Sequence, residues 1–206
     1  WATEPDQCIN YVSCHDNYTL WDKLKLSATK ATGIELQKMV KLAGALILTS
    51  QGVPFLHSGI EFCRTKAGSG NSYNLPDSVN QIDWDRKDKY LDVFEYYKKL
   101  IQLRKNHPAF RMTTSEQIRN NLKFCTPYQL GIVSYCIQGK EVGDSWEIII
   151  LIFNGNKGKI VIPIPEGIYR IVAEGNEINE FETDKTVSDE VQVEGISMTI
   201  LVKTEE

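Results

Sequence analysis

The sequence predicts a mixed chain, α/β up to about Pro108 and all-β beyond it. Three observations carry this. Two short apolar runs, CINYVSC (8–14) and VPFLH (53–57), are each followed by a long polar stretch and then by apolar residues at helical spacing. That spacing stops at Pro108. From Leu130 on, six β-branched, apolar runs recur at short intervals.

CINYVSC is apolar, aromatic and β-branched, and reads as a buried strand. An irregular stretch is expected from His15 to about Thr32. The run ELQKMVKLAGALIL then places Leu36, Met39, Val40, Ala43 and Ile47 on one helical face, with Gly52 marking its end. VPFLH reads as a second strand. Pro54 argues against a central position but is tolerable near a strand's start. A second long loop spans Ser58 to about Lys87. YLDVFEYYKKLIQLRKNH reads as a helix with Leu91, Phe94, Tyr97, Leu100 and Ile101 inward. Asp88 and Asp92 suit its N-terminal end and Arg104 and Lys105 its C-terminal end. Pro108 stops it. TTSEQIRNNL is a short helix capped by Thr114 or Ser115. LGIVSYCI, WEIIILIFN, GKIVIPIP, GIYRIVAEG, EVQVEG and SMTILVKT are the strands of an antiparallel sandwich, with NGNKGK as a turn.

Strand–loop–helix repeated twice gives βα units, and these build parallel sheets. Loops longer than ~12–15 residues are usually functional or disordered. In a β/α barrel the chemistry sits at the C-terminal ends of the strands, which is where His15 and Asp16 fall. Two βα units cannot close a barrel that needs eight, so the chain is expected to be part of a larger assembly. Trp1 in place of an initiator Met agrees with that expectation.

The composition excludes several classes. The 206 residues are 42% hydrophobic and 24% charged, with a net charge of -4, so no basic stripe for nucleic acid is expected. The longest apolar run, EIIILIF, is far short of the ~20 residues of a membrane span, and no signal peptide is visible. The five cysteines contain no C-x-x-C pair, so no zinc or thioredoxin motif is expected; no metal and no cofactor are expected either. Cys8 and Cys14, on one extended strand at ~3.3 Å per residue, would stand ~20 Å apart, too far to bridge. Free thiols lean toward a reducing, cytoplasmic compartment or an anaerobic host, with secretion the alternative.

INYVSCHDNYTLWDKL (9–24) resembles the segment at the seventh barrel strand of glycoside hydrolase family 13, the α-amylase superfamily. GVPFLHSGIEFCRTKAGSGNSYNLPDSVNQIDWDRK (52–87) is similar to the eighth strand and its loop, and FEYYKKLIQLRKNHPAF (94–110) to the last barrel helix. Within that family the HDNYTLWDKL and NSYNLPDSVNQIDW stretches look most like the type I debranching subgroup. The resemblance implies that residues 1–108 are the last two βα units of a (β/α)8 barrel and residues 109–206 a C-terminal β-sandwich. It implies an α-glucan substrate, with α-1,6-glucosidic bonds cleaved. Asp16 would be the third family carboxylate, stabilising an oxocarbenium-like transition state. His15 and Asn17 would bind hydroxyls beside it, and Asn74 would be a further polar substrate contact. The nucleophilic Asp and general-acid Glu of the retaining mechanism would lie in an N-terminal part of the same enzyme, and the chain alone would be inactive. Neopullulanase-like, isoamylase-like or branching activities, or a non-catalytic α-glucan-binding module, are the alternative readings.

Other side chains carry structural expectations. Glu61 follows the eighth strand and is not the missing acid; a pairing with Arg64 is expected of it. Tyr18 and Trp21 are expected to pack the loop, and Asp83, Trp84 and Asp85 to cap the next helix. His57 is expected as a satisfied core histidine, and His107 at the helix C-terminus. Lys98, Lys99, Arg104 and Lys105 are expected on a solvated face.

Overall fold

The computed structural model describes residues 2–125, 129–181 and 183–204. Trp1 lies outside them. The two expected barrel strands are short. Ile9–Asn10 (β1) runs parallel to Val53–Pro54 (β2) in the register Ile9↔Val53 and Asn10↔Pro54. The ladder uses the amides of Val53, donating to Cys8 O, and of Phe55, donating to Asn10 O. The missing N–H of Pro54 falls between them and is not needed. Ile9, Tyr11, Val12, Val53 and Phe55 are exposed, not buried as expected of a barrel interior. The reason is that each strand has a single neighbour among the described residues, so the other edges and faces are uncovered.

The first loop is not wholly irregular. It contains α1, Leu20–Ser27, which the apolar spacing did not reveal because only its first turn is buried. Its start is encoded locally: Thr19 accepts a hydrogen bond from Asp22 N. The expected second helix is α2, Gly33–Thr49, opened by a capping box between Thr32 and Glu35. Leu36, Val40 and Ile47 are buried, and Met39 and Ala43 partly so. Gly44 lets the Tyr97 ring approach so closely that an added Cβ would meet it at 2.4 Å. Gly52 turns the chain into β2 at φ +96, against Cys8 O, where no side chain fits.

The second loop contains two short helices, Asp77–Asn80 (α3) and Asp85–Lys89 (α4). The long helix α5 spans Leu91–Asn106. Tyr97 and Leu100 are inward as expected, but Leu91 and Ile101 are exposed. The buried stripe is instead centred on Val93, Tyr96, Tyr97, Leu100 and Leu103, the face that meets α2. Arg104 also departs from expectation. It is 7% exposed and donates to the carbonyls of Leu48, Ser50, Gly52 and Phe110. Its charge satisfies the end of α2 and the turn after it, so it closes the helix–strand connection from within. Lys99 reaches Ile178 O. Helix α6, Ser115–Asn121, is capped by Thr114.

The β half is antiparallel. Leu122–Phe124 (β3), Ile132–Gln138 (β4), Ile148–Asn154 (β5), Ile160–Pro163 (β6), Tyr169–Glu174 (β7), Glu177–Ile178 (β8), Thr186–Val187 (β9), Glu190–Val193 (β10) and Ser197–Lys203 (β11) follow in chain order. Seven of them form one sheet with path β3-β4-β5-β11-β7-β8 and β9 beside β7. β6 and β10 pair as a separate ribbon. The sandwich is therefore uneven. One sheet face packs Ile132, Ile150, Ile152, Ile171 and Leu201 against Ile162, Val191 and Val193 of the ribbon. The other packs Tyr135, Ile149, Leu151, Phe153, Ile200 and Val202 into one core with the helices. Alternate residues of β5 serve the two faces, which explains why its sequence is apolar throughout.

A buried polar cluster joins the halves. His107, capping α5, places Nδ1 2.7 Å from Asp144 Oδ1 and Nε2 3.1 Å from Glu180 Oε1, and its ring stacks on Trp146. Asp144 also accepts the amides of Trp146 and Ala109. Burial alone would raise its pKa. The bonds from His107, Trp146 and Ala109 outweigh that and hold it below the usual carboxylate range. All five cysteines are free; Cys125 and Cys136 approach to 3.5 Å on neighbouring strands. Among the described residues no helix is long and apolar enough to cross a membrane.

Candidate functional site

The parallel pairing of β1 and β2 brings the loops after both strands to the same end. There they enclose an open cleft of about 620 Å³, lined by His15, Asp16 and Asn17 from the first loop. His57, Arg64, Lys66, Gly70, Asn71, Ser72, Tyr73 and Asn80 line it from the second. Three of the four expected site residues therefore stand together. Asn74 does not line the cleft; it is exposed on the same loop as Asn71, Ser72 and Tyr73, which do.

The His15–Asn17 turn has definite causes. Asn17 takes a left-handed backbone at φ 60, which Asn tolerates better than most residues. Thr19 begins α1 two residues later. The side chains of His15 and Asp16 project outward, 87% and 76% exposed, with Nε2 and Oδ1 3.6 Å apart. The buried carboxylate of this segment is instead Asp22, 3% exposed. It accepts from Thr19 Oγ1 at 2.9 Å, Thr65 Oγ1 at 2.5 Å and Lys66 N at 2.7 Å. Trp21 packs on Tyr90, and Tyr18 lies against Gly70, where a Cβ would meet its ring at 2.9 Å.

The second wall is built around Arg64. It donates to Ser58 O and Asn80 O and lies 3.3 Å from His57 Nε2. This replaces the expected Glu61 pairing: the guanidinium turns toward the cleft and satisfies loop carbonyls there. Asn80 in turn donates to Ser72 O and Leu75 O, which folds the loop onto itself. His57 is buried and satisfied, as expected, but it also lines the cleft. Burial first, and then the charges of Arg64, Lys66 and His15, together push its pKa down to about 4. Near neutral pH it is uncharged, and its Nε2 accepts from a guanidinium that can only donate. His57, Arg64 and Asn80 were missed as cleft residues. The strand-end rule that selected His15 selects His57 equally well; nothing local marks the other two.

The cleft thus offers one exposed carboxylate, neutral amide, imidazole and hydroxyl groups, and two fixed cations. Neutral polar groups of this kind suit a neutral polyhydroxylated ligand, and the carboxylate suits a centre that becomes positive. Among the described residues no group of three or more His, Cys, Asp or Glu is placed to hold a metal ion.

Comparison with known proteins gives a consistent result. Residues 118–177 match the family model described as the pullulanase all-beta domain. The chain is 38% identical over 199 residues to a pullulanase of Bacillus subtilis (strain 168), covering 96% of this chain and 27% of that protein. It is 28% identical to an isoamylase of a Flavobacterium species, covering 79% of this chain and 26% of the relative. Among solved structures, the pullulanase from Bacillus acidopullulyticus superposes with a TM-score of 0.94 at 44% identity, over 98% of this chain and 25% of that one. The type I pullulanase of Bacillus subtilis, complexed with maltose, gives a TM-score of 0.94 at 36% identity, over 98% of this chain and 28% of that one. The chain spans about a quarter of the length of the curated relatives it matches.

Proposed function

We propose that the chain is the C-terminal part of a retaining glycoside hydrolase of the pullulanase kind that cleaves α-1,6-glucosidic bonds in pullulan, starch and related α-glucans, as its 38% identity to a Bacillus subtilis pullulanase supports. Residues 1–108 are the last two βα units of its (β/α)8 barrel and residues 109–206 its C-terminal β domain. One observation carries the reading: parallel β1 and β2 aim His15, Asp16 and Asn17 into a cleft walled by the loop after β2. Asp16 is the carboxylate that faces the developing positive charge at the anomeric carbon. His15 and Asn17 bind hydroxyls of the same sugar, and Asn74 contacts substrate farther along the second loop. The nucleophilic Asp and the acid Glu, set ~5–5.5 Å apart in a retaining enzyme, belong to the N-terminal part. The 38% identity to the Bacillus subtilis pullulanase, against 28% to the Flavobacterium isoamylase, favours debranching of pullulan over the isoamylase reading.

Two expected results test this. The chain alone should release no reducing sugar from pullulan above buffer, because one carboxylate of three cannot run the double displacement. Turnover by the chain alone that disappears in Asp16→Asn would overturn the reading. The chain alone should also bind a hydrophobic dye or self-associate. Ile9, Tyr11, Val12, Val53 and Phe55 form an exposed apolar group around the short parallel pair, a surface the remaining barrel would cover. A compact, dye-negative monomer on size-exclusion chromatography would contradict it.

A further inference from the structure

We propose that Lys66 and Asp22 are positioning residues that fix Asp16 for catalysis, an inference that rests on the reading of Asp16 given above. Asp16 and His15 are held through their backbone, since their side chains are exposed and touch mainly each other. What holds that backbone is specific. Lys66, 5% exposed, donates from Nζ to His15 O at 2.6 Å, across 51 residues of sequence. That carbonyl belongs to the peptide that leads into Asp16. The ammonium thus anchors the turn at its start, while Thr19, at the head of α1, anchors it at its end.

Lys66 is itself located by Asp22. The Asp22 carboxylate takes the backbone N–H of Lys66 on Oδ2 and the Thr65 hydroxyl on Oδ1, and it also accepts from the Thr19 hydroxyl. A single buried carboxylate therefore ties the N-terminus of α1 to the second loop, and the next residue of that loop returns a cation to the first. The two loops are locked in register at the mouth of the cleft. A buried ammonium and a buried carboxylate are expensive to desolvate, and fold stability alone does not call for either in a loop. Here both fix the direction of a carboxylate whose usefulness depends on its position. Misplacement by ~1 Å can lower a rate about 100-fold.

The test is a double-mutant cycle in the full-length enzyme, with pullulan kinetics and a thermal midpoint for each variant. Lys66→Met keeps the bulk of the side chain and removes the donor. It should lower kcat about 10- to 100-fold with KM changed little. In an Asp16→Asn background the same substitution should lower kcat less than about twofold, because its effect runs through Asp16. An equal fold-loss in both backgrounds would mean a general structural defect, and an unchanged kcat would mean no role; either overturns the proposal. If Lys66→Met does not fold, Thr65→Val loosens the same lock and should show the same dependence on Asp16 at smaller size. Its absence overturns the proposal likewise. If Asp16→Asn alone leaves kcat intact, the site reading fails. If Asp16→Asn is severe while Lys66→Met is neutral, only the positioning inference fails.

Discussion

Asp16→Asn in the full-length enzyme is expected to lower kcat by ~10²–10³ while changing KM little. Asn is nearly isosteric and still hydrogen-bonds hydroxyls, so most ground-state binding survives. What is lost is the negative charge facing a cation that exists only near the transition state. Such a loss lowers kcat and kcat/KM together. The fold should not suffer, because the side chain is 76% exposed and lies beside the likewise exposed His15 imidazole, Nε2 3.6 Å from Oδ1. His15→Ala should differ, removing a hydroxyl contact present in both states and so also raising KM. Steady-state kinetics on pullulan, with circular dichroism to check folding, decide it. A folded Asp16→Asn variant that keeps more than about a third of the rate, a loss far smaller than the range above, makes Asp16 structural.

Asp144→Ala should be the most destabilising single change at the junction of the two halves, by about 3–5 kcal/mol. The Asp144 side chain has no exposed area and receives three hydrogen bonds, from His107, Trp146 N and Ala109 N. Truncation leaves two buried amides without an acceptor and leaves His107 facing Glu180 alone. Asp144→Asn, which keeps acceptors for the amides, should lose less. The pH dependence has a definite sign. The pKa of Asp144 is lower in the folded protein than its ordinary value of 3.8, so the folded state binds its proton less readily than the unfolded chain does. The contribution is fully present above the ordinary value and is lost as pH falls through it toward the folded value. Urea midpoints of wild type and Asp144→Ala should therefore differ strongly at neutral pH and converge in acid. A difference at neutral pH below about 1 kcal/mol would mean that the cluster contributes no more than an exposed ion pair does.

Much of the local structure was legible. The apolar spacing and the Thr32/Glu35 capping box announce α2, and Thr114 announces α6. The β-branched runs announce the longer strands β4, β5, β7 and β11. These features are encoded by consecutive residues, because a helix repeats every 3.6 residues and a strand every two. The short elements were less legible. α1 buries only one turn, and β3, β8 and β9, at two or three residues each, exist only because a neighbouring strand pairs with them.

The site divides along the same line. His15, Asp16 and Asn17 could be picked out from the sequence because they adjoin one another after an apolar run, in a stretch that resembles a known family. Their setting could not. Asp22, not Asp16, is the buried carboxylate, and this depends on Thr65 and Lys66, more than 40 residues away. Arg104 looks like a solvated helix-end cation in sequence, yet it is buried because four carbonyls converge on it once the end of α2 folds back against α5. His57 becomes a cleft residue only when β1 and β2 pair. Consecutive residues alone encode the long helices and strands, the change from α/β to β and the carboxylate-bearing turn. The tertiary structure decided which polar groups are buried and which face the cleft, because a buried charge needs partners, and here the partners come from distant parts of the chain.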